Sequence, residues 1–181
     1  KKCLMVGSLP PPLHGQSIAF HSAVLAVSDQ EIKVIETSFR GGNVIFSLMK
    51  VFLYFFKLPL GIFLFKPNVV YFLCSRTKIG GLRDIYLLSL LYFSKVRVVN
   101  HLHGSNFADY IDSLNPVVKW FVIKLYRRVD KHAVLIDGMQ DQLEYVADPE
   151  KIVVISNFYQ SSPSILRNLD VRIATDELKL F

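Results

Sequence analysis

Short runs of aliphatic and β-branched residues recur along the chain, each closed by a polar or glycine-bearing stretch. They fall at residues 3–6, 32–35 and 68–73, at Val96, Val98 and Val99 leading into Asn100, His101, Leu102 and His103, and at 132–136 and 152–155. These runs are continuously apolar instead of alternating, the pattern of strands buried on both faces. Between them lie segments of helical composition: residues 18–27, Val44–Phe65, 82–94, a segment opening at Asn115-Pro116 and running through Tyr126, and a short one from Asp137 to Tyr145. Asn followed by Pro is a helix start, with Asn at the cap and Pro at the first position. Strands alternating with helices predict an α/β fold, a parallel sheet with helices on both faces.

Right-handed crossovers then carry every strand-to-helix loop to one edge of the sheet. The polar groups that follow the strands gather there: His14-Gly15-Gln16, the stretch from Arg76 through Lys78 to Gly81, His101 and His103 with Gly104-Ser105, Asp137-Gly138, and Ser156-Asn157. The carboxyl edge is where open α/β sheets place ligands. Two imidazoles at i and i+2 on an extended segment point to the same side. They serve either as a site or as strand caps. The loop from Gly7 to Ser17 carries three prolines, which stiffen it, and Ser17 is placed to cap the helix that follows. Strand, glycine turn and helix N-terminus can present N–H groups to an anion, although G-x-G-x-x-G is missing and a dinucleotide is not implied. Arg76 and Lys78 are either phosphate or acceptor contacts or solvated loop charges.

The most apolar stretch, Val44–Phe65, is interrupted by Lys50, Lys57, Pro59 and Gly61. On a helix, Ser47, Lys50, Tyr54 and Lys57 form one narrow stripe, and Phe46, Val51, Phe52, Leu53, Phe55 and Phe56 cover the remainder. Two lysines and a proline make it a poor bilayer span. Two readings remain: a helix buried between the sheet and its neighbours, or an interfacial helix on anionic lipid, with Phe52, Phe55 and Phe56 inserted and Lys50 and Lys57 at the headgroups.

Composition narrows the picture. Hydrophobic residues make up 51% of the 181, which excludes a disordered or collagen-like chain. The 21 Lys and Arg against 15 Asp and Glu leave a charge of +6, suited to phosphates, nucleotides or anionic membrane. No RNA-binding or zinc-finger signature and no strongly basic helix occurs, so nucleic acid is not expected as a partner. Two cysteines in separate apolar runs and no evident secretion signal point to a reducing cytoplasm. The five histidines have no carboxylate cluster at ligand spacing, so no metal and no cofactor is expected.

Four segments carry a family likeness: G-S-L-P-P-P-L-H-G-Q-S at 7–17, V-V-N-H-L-H-G-S-N-F at 98–107, V-L-I-D-G-M-Q-D-Q-L at 134–143 and K-I-V-V-I-S-N-F-Y at 151–159. In this order they resemble the N-terminal half of retaining glycosyltransferases of family 4, which have the two-domain GT-B fold. The resemblance implies a Rossmann-like N-terminal domain over residues 1–160, which mainly receives the acceptor. Residues 161–181 are then a linker and the truncated start of a C-terminal nucleotide-sugar-binding domain, since the chain opens without Met and ends as an apolar run begins. By the same resemblance Gly15 borders the donor phosphates and the acceptor, and His103 faces the reacting sugar, with His101 second. His14, Gln16, Arg76, Lys78, Gly104, Ser105 and Asn157 are the further substrate-binding candidates. The expected function is transfer of a sugar from a nucleotide-sugar to a polysaccharide or lipid-linked acceptor at the cytoplasmic face of the membrane.

The chain departs from the family in two respects. Its glutamates stand at 31, 36, 144, 150 and 177, no two of them eight apart, so the family's E-x7-E site is missing. His14-Gly15-Gln16 also replaces the Gly-Gly pair of many relatives. The expectation is an incomplete enzyme that turns over nothing alone. The competing classes are a non-catalytic module for an anionic or phosphorylated ligand, and a membrane-surface adaptor working through the apolar helix.

Overall fold

The computed structural model describes residues 1–11, 13–37 and 44–155; over 44–48 it describes the helical backbone alone. The proposed linker and truncated domain at 161–181, and Ser156-Asn157, lie outside the described residues.

Six strands form one parallel sheet: β1 (Lys2–Gly7), β2 (Glu31–Glu36), β3 (Val69–Leu73), β4 (Arg97–Leu102), β5 (Lys131–Val134) and β6 (Ile152–Val154), in the spatial order β2-β1-β3-β4-β5-β6. The connections carry α1 (Gly15–Ala26), α2 (Val44–Phe65), α3 (Lys78–Leu91), α4 (Phe107–Asp112) and α5 (Pro116–Tyr126), with a 3-10 segment at Asp137–Leu143 before β6.

Alternate strand residues divide the core. Leu4, Val6, Val70, Phe72, Val98, Leu102 and Val134 pack beneath α2, α3, α4 and α5 through Tyr54, Leu58, Leu87, Leu91, Phe107, Val122 and Tyr126. Met5 and Leu73 face the other way onto Phe20 of α1, joined by Cys3, Ile32, Val34 and Tyr71. Among the described residues helices therefore cover both faces of a Rossmann-like sheet, one on one side and four on the other. The asymmetry follows from topology: the chain steps one way from β1 to β2, then the other way for every later crossover.

Local chemistry sets several boundaries differently from the sequence pattern. The cap of α1 is His14, whose Nδ1 accepts from the Ser17 amide at 3.1 Å, while Ser17 Oγ accepts from the His14 amide at 3.1 Å. Ser17 is thus the third helical residue of a capping box, not the cap, and the helix begins three residues before 18. Residues Lys78 to Gly81 are the first turn of α3, not a loop; Thr77 Oγ1 caps it by accepting from Gly80 N–H at 3.1 Å. The two glycines there fit because a Cβ at Gly80 would strike Ser75 and one at Gly81 would strike the Tyr110 hydroxyl. Asn115 caps α5 as expected, with Oδ1 accepting from Val118 N–H at 3.0 Å.

Helix α2 differs from the fully buried reading. Its inward face is Tyr54, Leu58, Gly61 and Ile62, and a Cβ on Gly61 would lie 2.9 Å from Ile35 Cδ1 of the edge strand. Tyr54, on the stripe expected to be polar, is 3% exposed, whereas Phe52, Phe55 and Phe56 are exposed. The stripe of Lys50, Tyr54 and Lys57 runs along the seam between α2 and β2, so that Tyr54 is buried, Lys50 half-buried and Lys57 exposed. Among the described residues no helix is long and apolar enough to cross a membrane.

Candidate functional site

The adjacent strands β1 and β3 send their chains to opposite faces, β1 into α1 and β3 into α3. A crevice opens at the carboxyl ends of such a strand pair. Here it is a polar cavity of about 190 Å³ lined by Ser8 after β1, Gln16 in the first turn of α1, Thr37 after β2, Cys74 to Thr77 after β3, and Arg83 and Asn106. The Ser8 and Thr37 hydroxyls lie 3.3 Å apart across its wall.

Arg76 is held in place. Its Nη1 donates to Asn106 Oδ1 at 2.5 Å, and it lies over Gly104, where any Cβ would collide with the guanidinium. Gly104 has φ +117°, a conformation that also favours glycine. Asn106 is free for this contact because it does not cap α4 with its side chain; Gln142 Oε1 accepts from the Phe107 and Ala108 amides at 3.0 and 3.2 Å instead.

Beneath the loop lies a buried ion pair. Asp84 is 1% exposed and binds Arg83 Nη2 and Nε at 2.9 Å through Oδ1. Its Oδ2 accepts from the Ser75 amide at 2.5 Å and the Tyr126 hydroxyl at 3.0 Å, and Arg83 Nη2 also donates to the Leu73 carbonyl at 2.9 Å. The Ser75 and Leu73 bonds of the pair fix the turn after β3, from which Arg76 projects, and the Tyr126 bond ties that turn to α5.

His101 is the penultimate residue of β4 and His103 follows the strand's last residue, as expected, but both are buried, at 5% and 6% exposure. Their rings stand 4.2 Å apart, and His101 Nδ1 is bonded to the Tyr71 hydroxyl at 2.5 Å. Nε2 of each ring is buried, with no partner among the described residues. Burial pushes His101 down to about 3, with His103 adding to it. Burial likewise pushes His103 down to about 4, with the Arg76 cation adding to it. Both rings are therefore neutral at physiological pH, able to donate and accept hydrogen bonds but not to act as cations. His101 also borders a second cavity of about 470 Å³, mainly apolar, under α1 between Met5, Tyr71, Ala19 and Ala23.

Of the candidates, Gln16 and Arg76 meet at the polar cavity and Gly104 supports Arg76, whereas His101 and His103 pack on each other and do not line that cavity. Gly15 lines the apolar cavity under α1, with nothing within 4 Å of the position its Cβ would take. His14 is engaged in capping, while Lys78 and Ser105 are exposed and line neither cavity. Asp137-Gly138 opens the 3-10 segment and contributes to neither cavity, and Asn157 lies outside the described residues. The sequence reading passed over Ser8, Thr37, Tyr71, Arg83, Asp84 and Asn106. A buried-strand tyrosine and an Arg-Asp pair within a helical run gave the only local signal for three of these. Among the described residues no group of three or more His, Cys, Asp or Glu is placed to hold a metal ion.

Comparison with models of known protein families finds no match, and comparison with curated proteins finds none.

Proposed function

We propose that the chain is the acceptor-side domain of a retaining glycosyltransferase, moving a sugar from a nucleotide-sugar to a polysaccharide or lipid-linked acceptor and requiring a second, nucleotide-binding domain for turnover. The observation that carries this reading is the pinned guanidinium of Arg76 in the polar cavity at the switch point of the sheet, with the neutral imidazoles of His101 and His103 packed on each other at the carboxyl end of the neighbouring strand β4. A neutral imidazole can donate to or accept from a sugar hydroxyl, and a fixed cation suits a phosphate oxygen as negative charge builds on the leaving group. The work is positional and electrostatic, with no covalent step assigned to this domain. The sequence resemblance supplies the reaction class.

The test is sugar transfer by the native-length protein, with mixed nucleotide-sugars and a membrane extract as acceptor. His103→Ala is expected to lower turnover by at least tenfold, the scale of losing one buried polar contact to the transition state, with little change in thermal stability. If His101→Ala has this effect and His103→Ala does not, His101 is the working imidazole. A second reading, an anion-binding module without catalysis, is favoured by Arg76 in its polar cavity. It is the outcome indicated if no transfer occurs while inorganic phosphate or a nucleotide binds wild type and not Arg76→Ala.

A further inference from the structure

The outer face of α2 has no covering element among the described residues. Met49, Phe52, Leu53, Phe56, Leu60, Phe63 and Leu64 recur at three- and four-residue steps down the helix, with Phe52 63%, Phe63 64% and Leu64 72% exposed. At about 1.5 Å per residue, the stretch from Met49 to Leu64 makes this stripe roughly 24 Å long. It continues sideways: Phe55 packs on Tyr86 of α3 at 4.7 Å, and Leu82 and Ile79, one and two turns earlier on α3, are 62% and 86% exposed. A contiguous apolar surface of this extent marks an interaction site.

Its border identifies the occupant. Along the seam between α2 and edge strand β2 runs a groove of about 520 Å³ lined by Lys33, Lys50 and Lys57, with Leu53, Leu60 and one acid, Glu36. Helix α2 itself contains no Asp or Glu, and Lys66 follows its last turn. A second copy of this face would set lysine against lysine with no carboxylate on the helix to answer them. A lamella that is apolar inside and anionic at its surface answers both features at once. The aromatic stripe enters the acyl boundary, and the lysine groove takes the phosphate of a headgroup.

We propose that α2, with the groove of Lys33, Lys50 and Lys57, is a docking surface for a bilayer containing anionic phospholipid, the helix lying in the interface plane. Helix α2 starts at the carboxyl edge of the sheet, because it leads from the end of β2 back to the start of β3. The proposal stands independently of the sugar-transfer reading.

Co-sedimentation of the full chain with phosphatidylcholine vesicles, with and without phosphatidylglycerol, tests it. Binding is expected with phosphatidylglycerol, weakening with salt, and little without it. Each lysine close to an anionic surface contributes about fivefold, so Lys33→Glu with Lys57→Glu should reduce the partition coefficient by at least 25-fold. Phe52→Ser with Phe63→Ser should also abolish binding; both side chains are exposed, and an unchanged melting temperature checks that the fold persists. Three results overturn the proposal: no binding to either vesicle, binding indifferent to phosphatidylglycerol and the lysine reversals, or a dimer dissociated by the phenylalanine variant in the absence of vesicles.

Discussion

Three buried imidazoles make this fold sensitive to mild acid. His101, His103 and His132 are all buried. Burial pushes His132 down to about 4, with the Lys151 cation adding to it, as burial pushes His101 to about 3 and His103 to about 4. An unfolded histidine titrates near 6.5. Above that value both states hold neutral rings, and the rings add no pH dependence. Below it the unfolded chain takes up protons that the fold refuses, so stability falls as pH drops from 6.5 towards the folded values. Each ring loses about 1.4 kcal/mol per pH unit in that window. Between about pH 7.5 and about pH 5.5 the three together should cost about 4 kcal/mol, a large part of the 5–15 kcal/mol typical of a domain. Ordinary carboxylates titrate mostly below this interval, so it isolates the histidines. Urea unfolding at the two pH values measures the difference. His132→Gln should remove about one third of it, whatever that variant does to stability at the higher pH. Equal stability at both values, or a full loss persisting when all three histidines are replaced, would refute the reasoning.

Other consequences follow from the same geometry. Asp84→Ala leaves the Arg83 charge, the Ser75 amide and the Tyr126 hydroxyl without their shared acceptor; it should cost about 3–5 kcal/mol, and Tyr126→Phe only about 1 kcal/mol, both read from urea midpoints. Gly104→Ala should cost about 1–3 kcal/mol from the positive φ alone and displace Arg76 from Asn106, weakening phosphate binding by titration calorimetry. In an Arg76→Ala background the same change should cost less, since the collision is gone; strict additivity of the two would show that no collision exists. Gln142→Ala leaves the Phe107 and Ala108 amides unsatisfied and should destabilise by about 1 kcal/mol, with faster hydrogen exchange in α4 as the local signature.

Much of the framework was legible because it is written in local pattern. Continuous runs such as Val69–Leu73 mark strands buried on both faces, and Asn115-Pro116 marks a helix start through a single side-chain oxygen and a single ring. Helix α4 left no such trace. Its six residues, F-A-D-Y-I-D, are too few for a period, and the oxygen that caps them belongs to Gln142, more than 30 residues later. The first turn of α3 was hidden by two glycines that read as loop; they are there for close approach to Ser75 and Tyr110, which the sequence cannot display.

By itself the sequence determined the α/β alternation, the carboxyl-edge gathering of Gln16, Arg76, His101, His103 and Gly104, and the apolar character of α2. Tertiary structure alone decided that Lys78 and Ser105 stand apart, and that Tyr54 turns inward while the phenylalanines of α2 turn out. It also decided that Tyr71, Asp84 and Asn106 hold the site together. The division has one physical cause. Periodicity and capping act within a few residues, so one segment carries them whole. Which face a helix buries, and which polar atoms meet, depends on partners that the parallel crossovers bring together from some 30 or more positions away.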